Sequence, residues 1–197
     1  MRYLALAVAA YLLGSLPSAY LVVRFAKGPD LRSVESGNVG ALNAFRATGL
    51  GWVGVVVLLM DVGKGALAVL LAGDGAGPST QMLVATLVVA GHNYPLWLGG
   101  RGGKGLAAAA GALSMITPLS VPLWGLVWAL GYVLSGYIAL GIVVATALLP
   151  ILLGLFAGWA FGAASVPVCT LVLLRHREKM RRLLLGVEPK HYWRGRS

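Results

Sequence analysis

Two short segments carry residue types suited to holding an anion. In the first, Ser36-Gly37-Asn38-Val39-Gly40 is followed by Asn43 and Arg46. Its glycines leave backbone N–H groups open to converge on a negative group, and a helix starting there adds the positive end of its dipole. A helix beginning near Asn38 predicts Asn43 and Arg46 on one face, where an amide and a guanidinium can hold a phosphate. The second segment is Gly99-Gly100-Arg101-Gly102-Gly103-Lys104-Gly105, just ahead of an alanine run. It resembles a nucleotide-binding P-loop only in outline. Leu98 stands where that loop needs its leading glycine, and Gly105 stands where it needs Ser or Thr. What remains is a sterically open, doubly cationic loop at a helix start, which is again an anion site. A plain basic anchor would not need five glycines in seven residues.

Other ionisable residues stand where they are expensive. Asp61 and Lys64 lie three apart inside an apolar run, so on a helix they pair. His92 sits in Gly91-His92-Asn93-Tyr94-Pro95 at the end of another apolar run, and His176 heads the basic C-terminal segment. Each has a structural alternative, an internal ion pair or a hydrogen-bonded histidine. Several enzyme classes are excluded. No Gly-x-Ser-x-Gly elbow is present, and no cluster of carboxylates. The His-x4-Asp pair of one acyltransferase class is missing, because the positions that would complete it hold Trp97 and Arg181. Cys169 is the only cysteine, so no disulfide or cysteine-based metal framework can form.

The elements that position these residues must be membrane helices. Of 197 residues, 58% are hydrophobic and 11% charged, with a mean hydropathy of +0.83. A soluble domain of this length has too little polar surface at that composition. The fold class expected is all-α: a single polytopic membrane domain over 1–197 with seven transmembrane helices. The spans read Tyr3–Val23, Leu50–Ala72, Thr80–Leu98, Leu106–Ile116, Ser120–Leu134, Gly136–Leu153 and Leu155–Leu174. Ala7-Val8-Ala9 looks like a signal-peptidase site, but the apolar run continues past it, so the first span is read as uncleaved. Residues 175–197 form a basic amphipathic tail with Met180, Leu183 and Leu184 on its apolar side.

Fourteen of the sixteen Lys and Arg residues fall in the loop after span one, the loop after span three, and the tail. The positive-inside rule then predicts a cytoplasmic C-terminus and a periplasmic N-terminus. The net charge of +10 is thus a matter of topology, with no nucleic-acid partner expected. The two cationic loops are expected to meet in one pocket at the cytoplasmic edge.

Together these motifs resemble those of the PlsY family, the acyl-phosphate-dependent glycerol-3-phosphate acyltransferases of bacteria. The resemblance runs through Ser36-Gly-Asn-Val-Gly-Ala-Leu-Asn-Ala-Phe-Arg46, Asp61-Val-Gly-Lys-Gly65, Gly91-His-Asn-Tyr-Pro95, Arg101-Gly-Gly-Lys-Gly105 and His176-Arg-Glu-Lys-Met-Arg-Arg-Leu-Leu-Leu-Gly-Val-Glu188. It departs at Leu42, at Lys179 and at Tyr137–Ile142, where the family has Thr, Asn and serines. The resemblance implies an inner-membrane enzyme that moves a fatty acyl group from acyl phosphate to the 1-hydroxyl of glycerol 3-phosphate, giving lysophosphatidate and phosphate. It implies catalytic roles for His92, Lys104 and His176. It implies substrate binding by Ser36, Gly37, Asn38, Gly40, Asn43, Arg46, Arg101, Gly102, Gly103, Lys104 and His176, with Asp61 and Lys64 in support. No cofactor or metal is called for, the partners are the two substrates and membrane lipids, and a monomer is favoured. Acyl phosphate is already activated, so direct transfer is expected, with the histidines binding and orienting. The rival reading is a transporter or channel for a phosphorylated solute, although no internal repeat supports it.

Overall fold

The computed structural model describes residues 1–34, 37–73 and 75–190. No strand occurs among them. The helices are α1 (Arg2–Ser15), α2 (Ser18–Phe25), α3 (Ala41–Thr48), α4 (Gly51–Ala72), α5 (Pro78–Asn93), α6 (Leu106–Ile116), α7 (Ser120–Ser135), α8 (Ile138–Phe156), α9 (Trp159–Arg175) and α10 (Arg177–Leu184), with short 3₁₀ turns at Leu31–Ser33 and Leu96–Leu98. This confirms an all-helical chain, and every expected span has a helix.

Two prolines move the expected boundaries. Pro17 has no N–H to donate, and Leu16 leaves the helical region at φ −55°, ψ 119°, so the first span is broken into α1 and α2. The expected third span ends early, at Asn93, because Pro95 cannot continue it. The freed carbonyls are used. That of Leu16 accepts from Lys64 Nζ at 3.2 Å. Those of His92 and Asn93 accept from the N–H groups of Gly103 and Gly102 at 3.0 and 3.3 Å.

Among the described residues, α4, α8 and the α1–α2 unit are long and apolar enough to cross a membrane. The pair α9–α10 makes a fourth if its 63° bend is taken within one pass. The remaining apolar helices are shorter. With 11 residues, α6 covers about 16 Å, half the hydrocarbon thickness.

Small residues draw the helices together. A Cβ on Gly65 of α4 would collide with the Ala108 carbonyl of α6, and one on Gly111 of α6 with the Val62 carbonyl of α4. Gly14 and Gly91 do the same for α1 and α5. Backbones this close gain dispersion contacts that larger side chains would prevent. The main core is accordingly built from Ala and Val of α4, α5, α6 and α9. A smaller apolar cluster, including Val23, Leu31, Ala44 and Val57, seats α2 and α3 on α4. By contrast, α7 lies at the edge and packs chiefly on α8.

Candidate active site

Where α3, α6 and α10 come together, a cavity of about 830 Å³ opens. Its wall includes Asn38, Asn43, Arg46, Asp61, His92, Lys104 and His176, so the two cationic segments, distant in sequence, share one space. The starts of two helices also face it, Gly40–Ala41 of α3 and Gly105–Ala107 of α6. Both bring the positive ends of their dipoles to the same cavity as the side-chain cations.

Each predicted residue has a definite place. Helix α3 starts at Ala41, later than expected, yet Asn43 and Arg46 still line the cavity. The Asn43 amide donates to the carbonyls of Asn38, Leu31 and Val34 at 2.9, 3.2 and 3.3 Å. Its nitrogen therefore fixes the loop before α3, and Arg46 brings the charge. Asp61 and Lys64 form the expected ion pair at 2.9 Å, both buried. Asp61 also meets His92 Nδ1 at 3.4 Å, a contact the sequence did not suggest. Gly102 and Gly103 are buried under the end of α5, where a Cβ on Gly103 would strike the His92 ring. Arg101 is exposed and lies outside the cavity wall, as do Gly37 and Lys64. Ser36 lies outside the described residues.

Lys104 makes no hydrogen bond or ion pair among the described residues. Burial, with the nearby charges of Lys179, Arg182 and Arg175, pushes its ammonium down to about 8. His176 is 2% exposed, and its Nδ1 lies 2.8 Å from the Val172 carbonyl. A carbonyl can only accept, so Nδ1 carries the hydrogen and Nε2 keeps a lone pair. Burial pushes the imidazole down to about 4, so it is neutral at pH 7.

Several site residues escaped the sequence reading. Lys179, Arg182 and Glu188 line the cavity, so the tail is part of its wall. Arg182 pairs with the buried Glu188 at 2.6 Å, so these two charges offset each other and the cationic character of the wall rests on Arg46, Lys104 and Lys179. The 63° bend between α9 and α10 turns these residues over the site. Arg175 donates from Nε to the Gly103 carbonyl at 2.9 Å and from Nη2 to the Gly102 carbonyl at 2.8 Å. Its guanidinium lies 5.4 Å from the centre of the Tyr94 ring. Asn93 ties the same corner to α9 by donating to the Leu171 carbonyl at 3.2 Å. Only Pro95 and the isolated Asn93 hinted at this corner. Arg175 looked like one more tail cation.

The arrangement can neutralise one or two phosphate groups at the end of an apolar bundle. Among the described residues its wall holds no Ser, Thr or Cys. A hydroxyl or thiol nucleophile is therefore missing from that part of the wall, while electrostatic stabilisation is well supplied.

The family described as "Glycerol-3-phosphate acyltransferase" matches residues 4–186. A glycerol-3-phosphate acyltransferase of Synechococcus sp. (strain CC9902) is 44% identical over 190 residues, covering 95% of this chain and 94% of that one. Glycerol-3-phosphate acyltransferase 2 of Moorella thermoacetica is 42% identical over 184 residues, covering 93% and 94%. The fold is similar to crystal structures of PlsY (YgiH), an integral membrane glycerol 3-phosphate acyltransferase. Its glycerol 3-phosphate form gives a TM-score of 0.86 at 34% identity over 98% of this chain and 96% of that one. Its lysophosphatidic acid form gives 0.84 at 33% identity over 96% and 95%. Motifs, fold and relatives agree, and the chain belongs to the glycerol-3-phosphate acyltransferase family.

Proposed function

We propose that the cavity binds acyl phosphate and glycerol 3-phosphate together and transfers the acyl group directly between them. The observation that carries this reading is the convergence of Arg46, Lys104, Lys179 and two helix N-termini on one cavity, beside the Arg182–Glu188 pair. That is more positive character than one phosphate needs, and each substrate carries a phosphate. The similar PlsY structures were solved with glycerol 3-phosphate and with lysophosphatidic acid, an acceptor and a product of such a transfer.

In the reaction, the 1-hydroxyl oxygen of glycerol 3-phosphate attacks the acyl carbonyl carbon. The bond from that carbon to the phosphate oxygen breaks, and phosphate leaves with the electron pair. Lys104 and the α6 N-terminus stabilise the charge that grows on the departing phosphate. Arg46, with Lys179 and Arg182, holds the phosphate of the acceptor. His176, neutral with Nε2 as an acceptor, orients the attacking hydroxyl. The hydroxyl proton passes to the departing phosphate, so no side chain must act as the base. His92 plays a different part. With Asp61 behind it and Gly103 against its ring, it props the loop that carries Lys104.

We assign the site to the cytoplasmic edge of the inner membrane, with seven passes, a periplasmic N-terminus and a cytoplasmic tail. The charge asymmetry supports this, as does Arg2, whose guanidinium meets the Ala72 carbonyl at the end of the bundle remote from His176. The direct test uses purified protein in detergent with acyl phosphate and glycerol 3-phosphate, and measures lysophosphatidate. Product without a trapped acyl-protein adduct is expected. Solute flux in sealed vesicles without product would favour a transporter instead.

A further inference from the structure

Helix α10 has two sides. One contributes Lys179 and Arg182 to the cavity wall. The other carries Arg177, Arg181 and Leu184, spaced four and three residues apart and so on one face. All three are exposed. Of the apolar side expected for the tail, Met180 and Leu183 are half-buried, but Leu184 is 89% exposed, and the turn after it adds Leu185 and Val187 at 64% each. Glu178 lies at the margin of this face, 4.0 Å from Arg177, and both are too exposed for the pair to count for much. The face therefore combines two guanidinium groups with a cluster of uncovered apolar side chains.

The place of the segment says what covers it. The 63° bend at His176 lays α10 across the end of the bundle, where a straight continuation of α9 would run on into water. After Gly186, whose φ of 70° turns the chain back, Glu188 is held by Arg182 at 2.6 Å and Lys190 lies 5.2 Å from the centre of the Tyr137 ring. Tyr137 closely follows Val133 and Leu134, which are largely exposed at the end of α7. The lipid-suited surface of α7 thus reaches the level of the tail. Arginines beside leucines at that level match a membrane interface, with the cations at the headgroups and the apolar side chains at the acyl boundary. The positive charge selects anionic headgroups.

We infer that the outward face of α10 and residues 184–187 dock on anionic lipids of the adjoining leaflet, and that this docking holds the Lys179 side of the cavity wall in place. Its consequence for activity rests on the acyltransfer reading of the cavity. One short segment then serves two surfaces, so the charge of the leaflet is felt in the site.

The test compares wild type with the double variant R177Q/R181Q in nanodiscs of phosphatidylcholine, alone or with about 30% phosphatidylglycerol. Anionic lipid also repels the anionic substrates, so the quantity read is the ratio of the two proteins' kcat/KM for glycerol 3-phosphate in the same lipid, where that repulsion cancels. Adding phosphatidylglycerol should raise the ratio of wild type to variant about fivefold or more, and about 1 M salt should abolish the rise. A spin label on L185C should be shielded from a water-soluble nickel complex and open to oxygen in the anionic discs, with wild type as the control for the buried Cys169. A ratio that does not change with lipid overturns the inference. So does a label that faces water in the anionic discs, which would leave the leucines to a protein partner. Absence of lysophosphatidate from wild type in every disc would instead overturn the acyltransfer reading, while the label reports docking without any turnover.

Discussion

On the proposed reading Lys104 is the residue on which the chemistry turns, and its environment makes that measurable. Desolvation and the cations of α9 and α10 hold its ammonium near 8, so the free enzyme loses this charge as pH rises through 8. A bound phosphate favours the protonated form and moves the titration upward. The alkaline limb of kcat/KM, which reports free enzyme, is therefore expected near pH 8, and that of kcat at higher pH. Lys104→Ala should cost roughly 10- to 150-fold in kcat/KM, the worth of one charge-assisted phosphate contact, and should remove the limb. An unchanged profile in that variant would leave Lys104 as a topological anchor. The sign for stability is opposite. A lysine lowered from 10.5 to about 8 leaves the fold with fewer bound protons than the unfolded chain between those values, so its contribution to stability rises with pH there. His176 contributes no titration near neutrality, because burial holds it neutral down to about pH 4.

Between elements, the critical joint is the one from α9 to the glycine-rich loop. Arg175 spans the carbonyls of Gly102 and Gly103 with its fork, and the second of these is bonded directly to Lys104. Arg175→Ala is expected to lower kcat about tenfold or more through a misplaced Lys104, with a smaller change in the KM for glycerol 3-phosphate. Arg175→Lys should recover only part, since an ammonium cannot reproduce the two-pronged geometry. Equal recovery by lysine, or a change in thermal stability with kcat intact, would reduce Arg175 to a packing residue. This joint also marks the limit of what the sequence discloses. The helices were legible from apolar runs punctuated by glycines and prolines, and α6 and α7 were located within a residue at each end. The motif residues were legible as anion-binding chemistry. Hydropathy averaged over Pro17 concealed the break between α1 and α2, although the proline itself was in view. Arg175 offered no local sign, because its partners are backbone carbonyls more than seventy residues away. Nor did α10 reveal itself as a wall: its charges suit a membrane surface equally well, and only the bend at His176 aims them inward.

Across the whole molecule, the charge distribution and the cavity lie at the same end of the bundle. A reporter fused after Ser197 is expected to work only in its cytoplasmic form, and a periplasm-active fusion would overturn both the pass count and the side assigned to the site. The bundle is also unevenly fastened. The pairs α1–α5, α4–α6 and α7–α8 meet backbone to backbone at their glycines, the last through Gly131 and Gly141, yet α7 buries only Ser120 and touches little beyond α8. Along α7, Leu126, Leu130, Val133 and Leu134 are at least half exposed, a surface suited to lipid. One flank of the bundle is thus a backbone-packed α7–α8 pair that turns an apolar face outward. Lipid tails need not thread past the phosphates to enter or leave. On the acyltransfer reading they reach the site along that apolar flank, so product release becomes a lateral step within one leaflet, governed by the fluidity and thickness of the surrounding bilayer.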